Sequence, residues 1–165
     1  MTEATAVSVI APGTPAPQFK LTRADGSSFT ERDLEGRGSV LVFYPFAFSP
    51  VCKEQLQLYE GLVAELAEQG VVLYGVSCDS TWAQTAFREK LGVSIEQLSD
   101  FEPKGAACAA FGVLHKGGFA QRALVVTGPD RVVRWSFQAP SPADLPPPEL
   151  LREGAASLSA APAPG

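Results

Sequence analysis

Hydrophobic and polar positions change period several times along this chain, and each change marks an element. From Pro17 to Thr30, "PQFKLTRADGSSFT" alternates apolar and polar positions around Asp25-Gly26. That predicts a β-hairpin with strands near residues 19–22 and 28–30. "SVLVFYPF", residues 39–46, is an unbroken apolar, β-branched and aromatic run and reads as a buried central strand. Over residues 50–68 the period becomes helical. Cys52, Leu56, Tyr59, Val63 and Leu66 fall on one stripe, while Lys53, Glu54, Gln57, Glu60 and Glu68 lie mainly on the other faces. "VVLYGVS", residues 71–77, is a second buried strand. Residues 81–92 read as a helix stopped by Gly92. A short helix is expected over 104–111. "QRALVVTGPDRVVRWSFQ" predicts a hairpin turning at Gly128-Pro129-Asp130, and a last helix opens with Pro148 in its first turn.

A β-α-β unit followed by a β-hairpin and a helix is an α/β arrangement of the thioredoxin-like kind: a mixed central sheet flanked by helices, here with an N-terminal β-hairpin extension. One domain over 13–159 is expected, with a flexible N-terminal arm at 1–12 and a disordered tail at 160–165. A chain of 165 residues, 45% hydrophobic and 19% charged, can bury a core of its own. Its net charge of −5 disfavours a nucleic-acid surface or a polybasic membrane patch. No apolar run approaches the length of a membrane span, and the first residues lack the basic start of a Sec-type leader. Three cysteines with no CxxC spacing and one histidine make a poor zinc set. They read as free thiols in a reducing, cytoplasmic setting, at least one of them reactive.

Cys52 is the candidate. Ser49 suits an N-cap and Pro50 the first helical position, which puts Cys52 at N3. First-turn amides are unpaired and the helix dipole is positive there, so N3 favours an anion, whether a carboxylate or a thiolate. A thiolate is the nucleophilic form. Cys52 also begins the core-facing stripe where strand becomes helix, at the end of an α/β sheet where ligands bind. The competing reading of a cysteine as a small buried hydrophobe is common. The cap, the proline and the strand end together favour reactivity.

Pro45-Phe-Ala-Phe-Ser49-Pro-Val-Cys52 resembles the peroxiredoxin signature Pro-x-x-x-(Ser/Thr)-x-x-Cys. "GTPAPQFKL", "LYGVSCDS", "SDFEPKGAACAAFGV" and "QRALVVTGPDRVVRW" resemble further family segments, so the likeness runs from about Pro15 to Ser159. It is most similar to the AhpE-type one-cysteine branch of the AhpC/TSA family. The resemblance implies a thiol-dependent peroxidase acting on hydrogen peroxide and alkyl hydroperoxides without metal, haem or flavin cofactors. It implies Cys52 as the peroxidatic nucleophile, Ser49 as a hydrogen-bond partner of sulfur and peroxide, Pro45 as a shield from water and Arg122 as the cation holding the thiolate. Reduction by a low-molecular-weight thiol or a thioredoxin/glutaredoxin-type protein, and a homodimer, are implied with it. Gln55 stands where family members often carry Glu, and is read as a supporting residue. Cys78, and after it Cys108, are the alternatives for a resolving thiol. A redox sensor working through the oxidation state of Cys52 and a thiol–disulfide reductase are the rival functions. Gln55, standing where a second cysteine would sit, disfavours the reductase. His115 reads as a solvated loop side chain, Trp82 and Phe87 as helix packing. Phe46 and Phe48 read as core or as the lining of an apolar mouth.

Overall fold

The computed structural model describes residues 8–160. Its strands are β1 (Lys20–Thr22), β2 (Ser28–Thr30), β3 (Gly38–Phe43), β4 (Val71–Ser77), β5 (Glu96–Ser99), β6 (Ala123–Thr127) and β7 (Val133–Gln138). Its α-helices are α1 (Pro50–Glu60), α2 (Val63–Glu68), α3 (Thr81–Leu91), α4 (Ala106–Ala110) and α5 (Pro148–Ala160), and a 3-10 turn covers Glu31–Leu34. The strands form one sheet in the order β2-β1-β5-β4-β3-β6-β7. β3, β4 and β5 run parallel, and β6 pairs antiparallel with β3. The sheet is mixed and thioredoxin-like, with the β1–β2 hairpin added at one edge.

Alternation along the central strands builds two cores. Val40, Val42, Tyr44, Leu124 and Val126 point to a layer closed by Leu56 and Tyr59 of α1, Leu66 of α2, Phe87 of α3 and Leu151 of α5. Leu41, Phe43, Tyr74, Val76, Ala123 and Val125 point the other way, against Phe19, Phe29, Phe111 and the small residues of α4. Cys52 belongs to the first layer, Cys78 and Cys108 to the second.

Three expectations are corrected. The helix expected over 50–68 breaks after Glu60 at Gly61, where glycine weakens the helix, and resumes at Val63. The break moves the buried stripe onto Leu62 (3% exposed), while Val63 is half-buried. β5 was not expected because its inward positions carry Gln97 and Ser99. Gln97 is satisfied there by the Tyr44 hydroxyl and the Ile95 carbonyl, and Gly75 of β4 leaves the space its amide fills. Trp82 is 85% exposed rather than packed, whereas Phe87 is wholly buried.

Of the arm expected at 1–12, residues 1–7 lie outside the described residues. Ile10 is held by the Phe111 carbonyl (2.9 Å) and accepts from the Ser136 hydroxyl (2.6 Å). Residues 161–165 of the expected tail also lie outside the described residues. No helix among the described residues is long and apolar enough to cross a membrane.

Candidate active site

The segment Tyr44 to Ser49 leaves β3 and turns into α1. Ser49 is the N-cap residue, with extended backbone angles, and Pro50 follows at N1. The Ser49 hydroxyl does not cap the helix; it donates to the Phe46 carbonyl at 3.0 Å. The amides of Val51 and Cys52 therefore have no hydrogen-bond acceptor among the described residues. Two unpaired donors thus belong to the positively polarised first turn that carries Cys52.

Arg122 lies just before β6, and antiparallel pairing of β6 with β3 brings it across to α1. Its Nη2 donates to Cys52 Sγ at 3.2 Å, its Nη1 to Gln55 Oε1 at 2.6 Å, and its Nε to the Pro142 carbonyl at 2.7 Å. Arg122 is 2% exposed and Cys52 and Gln55 are wholly buried. Among the described residues no carboxylate pairs with Arg122. A buried guanidinium without an anion is costly, so the thiolate of Cys52 is its natural partner. Gln55 orients the guanidinium without neutralising it, and its own Nε2 is buried with no hydrogen-bond partner.

Pro45, Phe46, Ser49, Pro50, Val51, Phe119, Arg122, Pro142 and Ala143 line a largely apolar cavity of about 320 Å³. Phe46 and Phe119 form its rim, with ring centroids 4.9 Å apart. Phe48 turns away and packs on Phe87 at 5.1 Å. A hollow of similar size beside Trp82, about 330 Å³, contains no cysteine, arginine or histidine.

Cys52, Ser49, Pro45, Arg122 and Gln55, the residues singled out in the sequence, thus meet at one place. The hydrogen bond to sulfur implied for Ser49 is not made, because its hydroxyl closes the preceding turn. Cys78 and Cys108 are elsewhere: the sheet separates them from Cys52, and they hydrogen-bond each other. His115 stacks on Phe119 at 4.2 Å and accepts from the Gly117 amide, and it hydrogen-bonds no site residue.

Asp79 was missed in the sequence. Its Oδ2 accepts from the Ala47 amide (2.7 Å) and the Ser77 hydroxyl (2.8 Å), and Gln84 donates to Ser77 in turn. This chain ties β4 and α3 to the loop that presents Cys52. It restrains the loop where Phe48 takes a left-handed φ of 71°, a conformation that costs about 1–3 kcal/mol in a non-glycine residue. The signal available was its place just past the carboxyl end of a buried strand. Tyr59 was read only as core, yet its hydroxyl donates to the Pro146 carbonyl (2.7 Å) and anchors the segment behind Pro142. Burial pushes that hydroxyl up to about 12, so it stays a donor at neutral pH.

Known proteins resemble this chain over much of its length. An alkyl hydroperoxide reductase E from Mycobacterium bovis is 27% identical over 150 residues, covering 90% of this chain and 97% of the relative. An alkyl hydroperoxide reductase C from Amphibacillus xylanus is 36% identical over 108 residues, 64% of this chain. That match spans 57% of the relative's length. Among solved structures, Enterococcus faecalis AhpC superposes with a TM-score of 0.81 at 26% identity, covering 92% of this chain and 95% of that one. The peroxidoxin BcpB of Mycobacterium tuberculosis gives 0.78 at 26% identity over 93% of this chain and 99% of that one. The AhpC/TSA family pattern itself matches residues 12–136, most of the chain and both halves of the Cys52–Arg122 pair, so the chain belongs to the AhpC/TSA family.

Proposed function

We propose that this protein is a thiol-dependent peroxidase whose nucleophile is Cys52 and whose substrates are hydrogen peroxide and alkyl hydroperoxides. The observation that carries the proposal is the contact of Arg122 Nη2 with Cys52 Sγ at 3.2 Å, with no competing carboxylate on the guanidinium among the described residues. The thiolate attacks one peroxide oxygen in line, the O–O bond breaks, and sulfur keeps the hydroxyl as a sulfenic acid. The leaving oxygen departs as alkoxide or hydroxide. Arg122 and the free amides of Val51 and Cys52 stabilise its developing charge. Ser49, on the cavity wall, turns its hydroxyl to the bound peroxide, and Pro45 keeps water from the sulfur. The apolar wall of Phe46, Val51, Phe119 and Pro142 suits an alkyl group as well as hydrogen.

Recycling uses an external thiol. One thiol displaces water from the sulfenic acid to give a mixed disulfide, and a second releases Cys52 and leaves as the disulfide. Low-molecular-weight thiols or a thioredoxin/glutaredoxin-type protein fill this role, in a reducing compartment such as the cytoplasm. Separation of Cys78 and Cys108 from Cys52 by the sheet supports this one-cysteine cycle. Phe46 and Phe48, 46% and 45% exposed beside the site, support a homodimer that covers them.

The test is continuous peroxide consumption by the purified chain with dithiothreitol as the thiol. Many peroxides consumed per protein supports the peroxidase. A single oxidation event with no turnover under any thiol makes Cys52 a sensor instead.

A further inference from the structure

On the far side of the sheet from Cys52 lies a second sulfur site that the peroxidase cycle leaves unused. Cys78 stands just past the end of β4 and Cys108 in α4, with sulfurs 4.0 Å apart and in hydrogen-bonding contact. Asp100 brings a carboxylate into the same cluster, so that its oxygen and both sulfurs lie within 4.8 Å of one another. All three residues are buried. Asp100 accepts from the amides of Ala107 (3.0 Å) and Cys108 (2.8 Å), which fixes α4, and with it the Cys108 sulfur, against Cys78. Simple packing needs neither a second thiol in contact nor a carboxylate beside it, and burying that carboxylate is unfavourable.

We propose that Cys78 and Cys108 form a second redox site, which excess hydroperoxide closes to an intramolecular disulfide independently of Cys52 and which a dithiol reopens. The two thiols are unequal. The hydrogen bond from Cys108 holds the Cys78 thiol below its usual range against the opposing effect of burial, with the Lys104 ammonium a lesser help. Its pairing with Cys78, and then burial, push Cys108 up. Cys78 is also the more accessible sulfur, 5% exposed against 0% for Cys108, and is assigned as the attacking one with Cys108 resolving. Burial raises the Asp100 carboxyl, which suits it to receive the Cys108 proton.

In the first step the Cys78 thiolate attacks a hydroperoxide oxygen. The O–O bond breaks, sulfur takes the hydroxyl, and the alkoxide leaves and is protonated to the alcohol. In the second step Cys108 gives its proton to Asp100 and attacks the Cys78 sulfur. The S–O bond breaks and water leaves with that proton. Two thiols and one hydroperoxide become one disulfide, one alcohol and one water. The sulfurs must approach by about 2 Å to reach the disulfide bond length. Residues 101–104 are exposed and α4 is only five residues long, so local opening of this segment admits the oxidant. Among the described residues no arginine donates to either sulfur, so this site reacts more slowly than one built like Cys52–Arg122.

The full chain carrying Cys52→Ser tests this with the main nucleophile absent. The reduced protein is incubated with excess tert-butyl hydroperoxide until glutathione in a separate parallel tube is fully oxidised. It is then denatured in N-ethylmaleimide and analysed by mass spectrometry. The expected result is a monomer lighter by two hydrogens, a peptide pair joined through Cys78 and Cys108, no alkylation at either, and reversal by dithiothreitol. Adding Cys78→Ser or Cys108→Ala to Cys52→Ser removes the two-hydrogen loss. Full alkylation of both thiols after the glutathione is spent would show packing only and overturn the proposal, as would disulfide-linked dimers or separate sulfinic acids. Stoichiometric zinc retained through both thiols by the reduced protein would make the cluster a metal site and overturn it as well.

Discussion

Replacing Arg122 with methionine keeps an apolar stem close to that of the arginine and removes the guanidinium and its charge. In the native site that charge lies 3.2 Å from the Cys52 sulfur with no protein anion to share it. A hydrogen bond to a charged group contributes about 1.5–3 kcal/mol. If it acts on the thiolate and on the departing oxygen, its loss slows peroxide attack roughly 10- to 150-fold at about 1.4 kcal/mol per tenfold. The assay is stopped-flow oxidation of the reduced protein by hydrogen peroxide, read as the second-order rate constant. The substitution also leaves Gln55 Oε1 buried without its donor, so the variant should unfold about 1–3 kcal/mol more easily in urea. Arg122→Lys separates the two effects. It keeps the charge but not the three-way fork, and is expected to fall between methionine and the native rate. A rate within threefold of native in a folded Arg122→Met would refute the reasoning, because the guanidinium would then contribute neither thiolate nor transition-state stabilisation.

Asp79→Ala leaves the Ala47 amide without its acceptor, so Cys52 oxidation should slow in a protein about 1–3 kcal/mol less stable, read by stopped flow and urea unfolding. Trp82→Ser should change stability by less than about 0.5 kcal/mol and Phe87→Ala by about 3–5 kcal/mol, a contrast set by exposures of 85% and 0%. The Asp100 carboxyl is raised in the folded protein by burial, so its contribution is full below the usual aspartate value and is lost as pH rises through the higher folded one. Urea unfolding should therefore show the native chain losing stability relative to Asp100→Asn as pH rises from about 4 toward neutrality; a constant difference would contradict the assignment.

Much of the candidate site could be read along the chain because it is local. Ser49 and Cys52 fall within one strand-to-helix junction, where capping rules assign positions residue by residue, whereas Pro45 and Gln55 in the same junction entered through the family resemblance. Arg122 is 70 residues from Cys52 and entered only by resemblance, since strand pairing rather than local pattern brings it there. β5 escaped because buried glutamine and serine give no hydrophobic alternation. Asp79 escaped because its role is a single bond to a loop amide, which no periodicity records. Cys78 ranked ahead of Cys108 as the alternative resolving thiol on strand order alone. Cys52 and Cys78 both follow parallel strands, but alternation sends Cys78 to the opposite face.

The most direct test of the central claim is mass spectrometry after one equivalent of hydrogen peroxide is added to the reduced native chain in the presence of dimedone. The account predicts a single dimedone adduct, on Cys52, in a protein whose Cys78 and Cys108 are both still alkylated by N-ethylmaleimide. An unmodified Cys52, or a rapid loss of two hydrogens with a peptide linking Cys52 to Cys78 or Cys108, would contradict it.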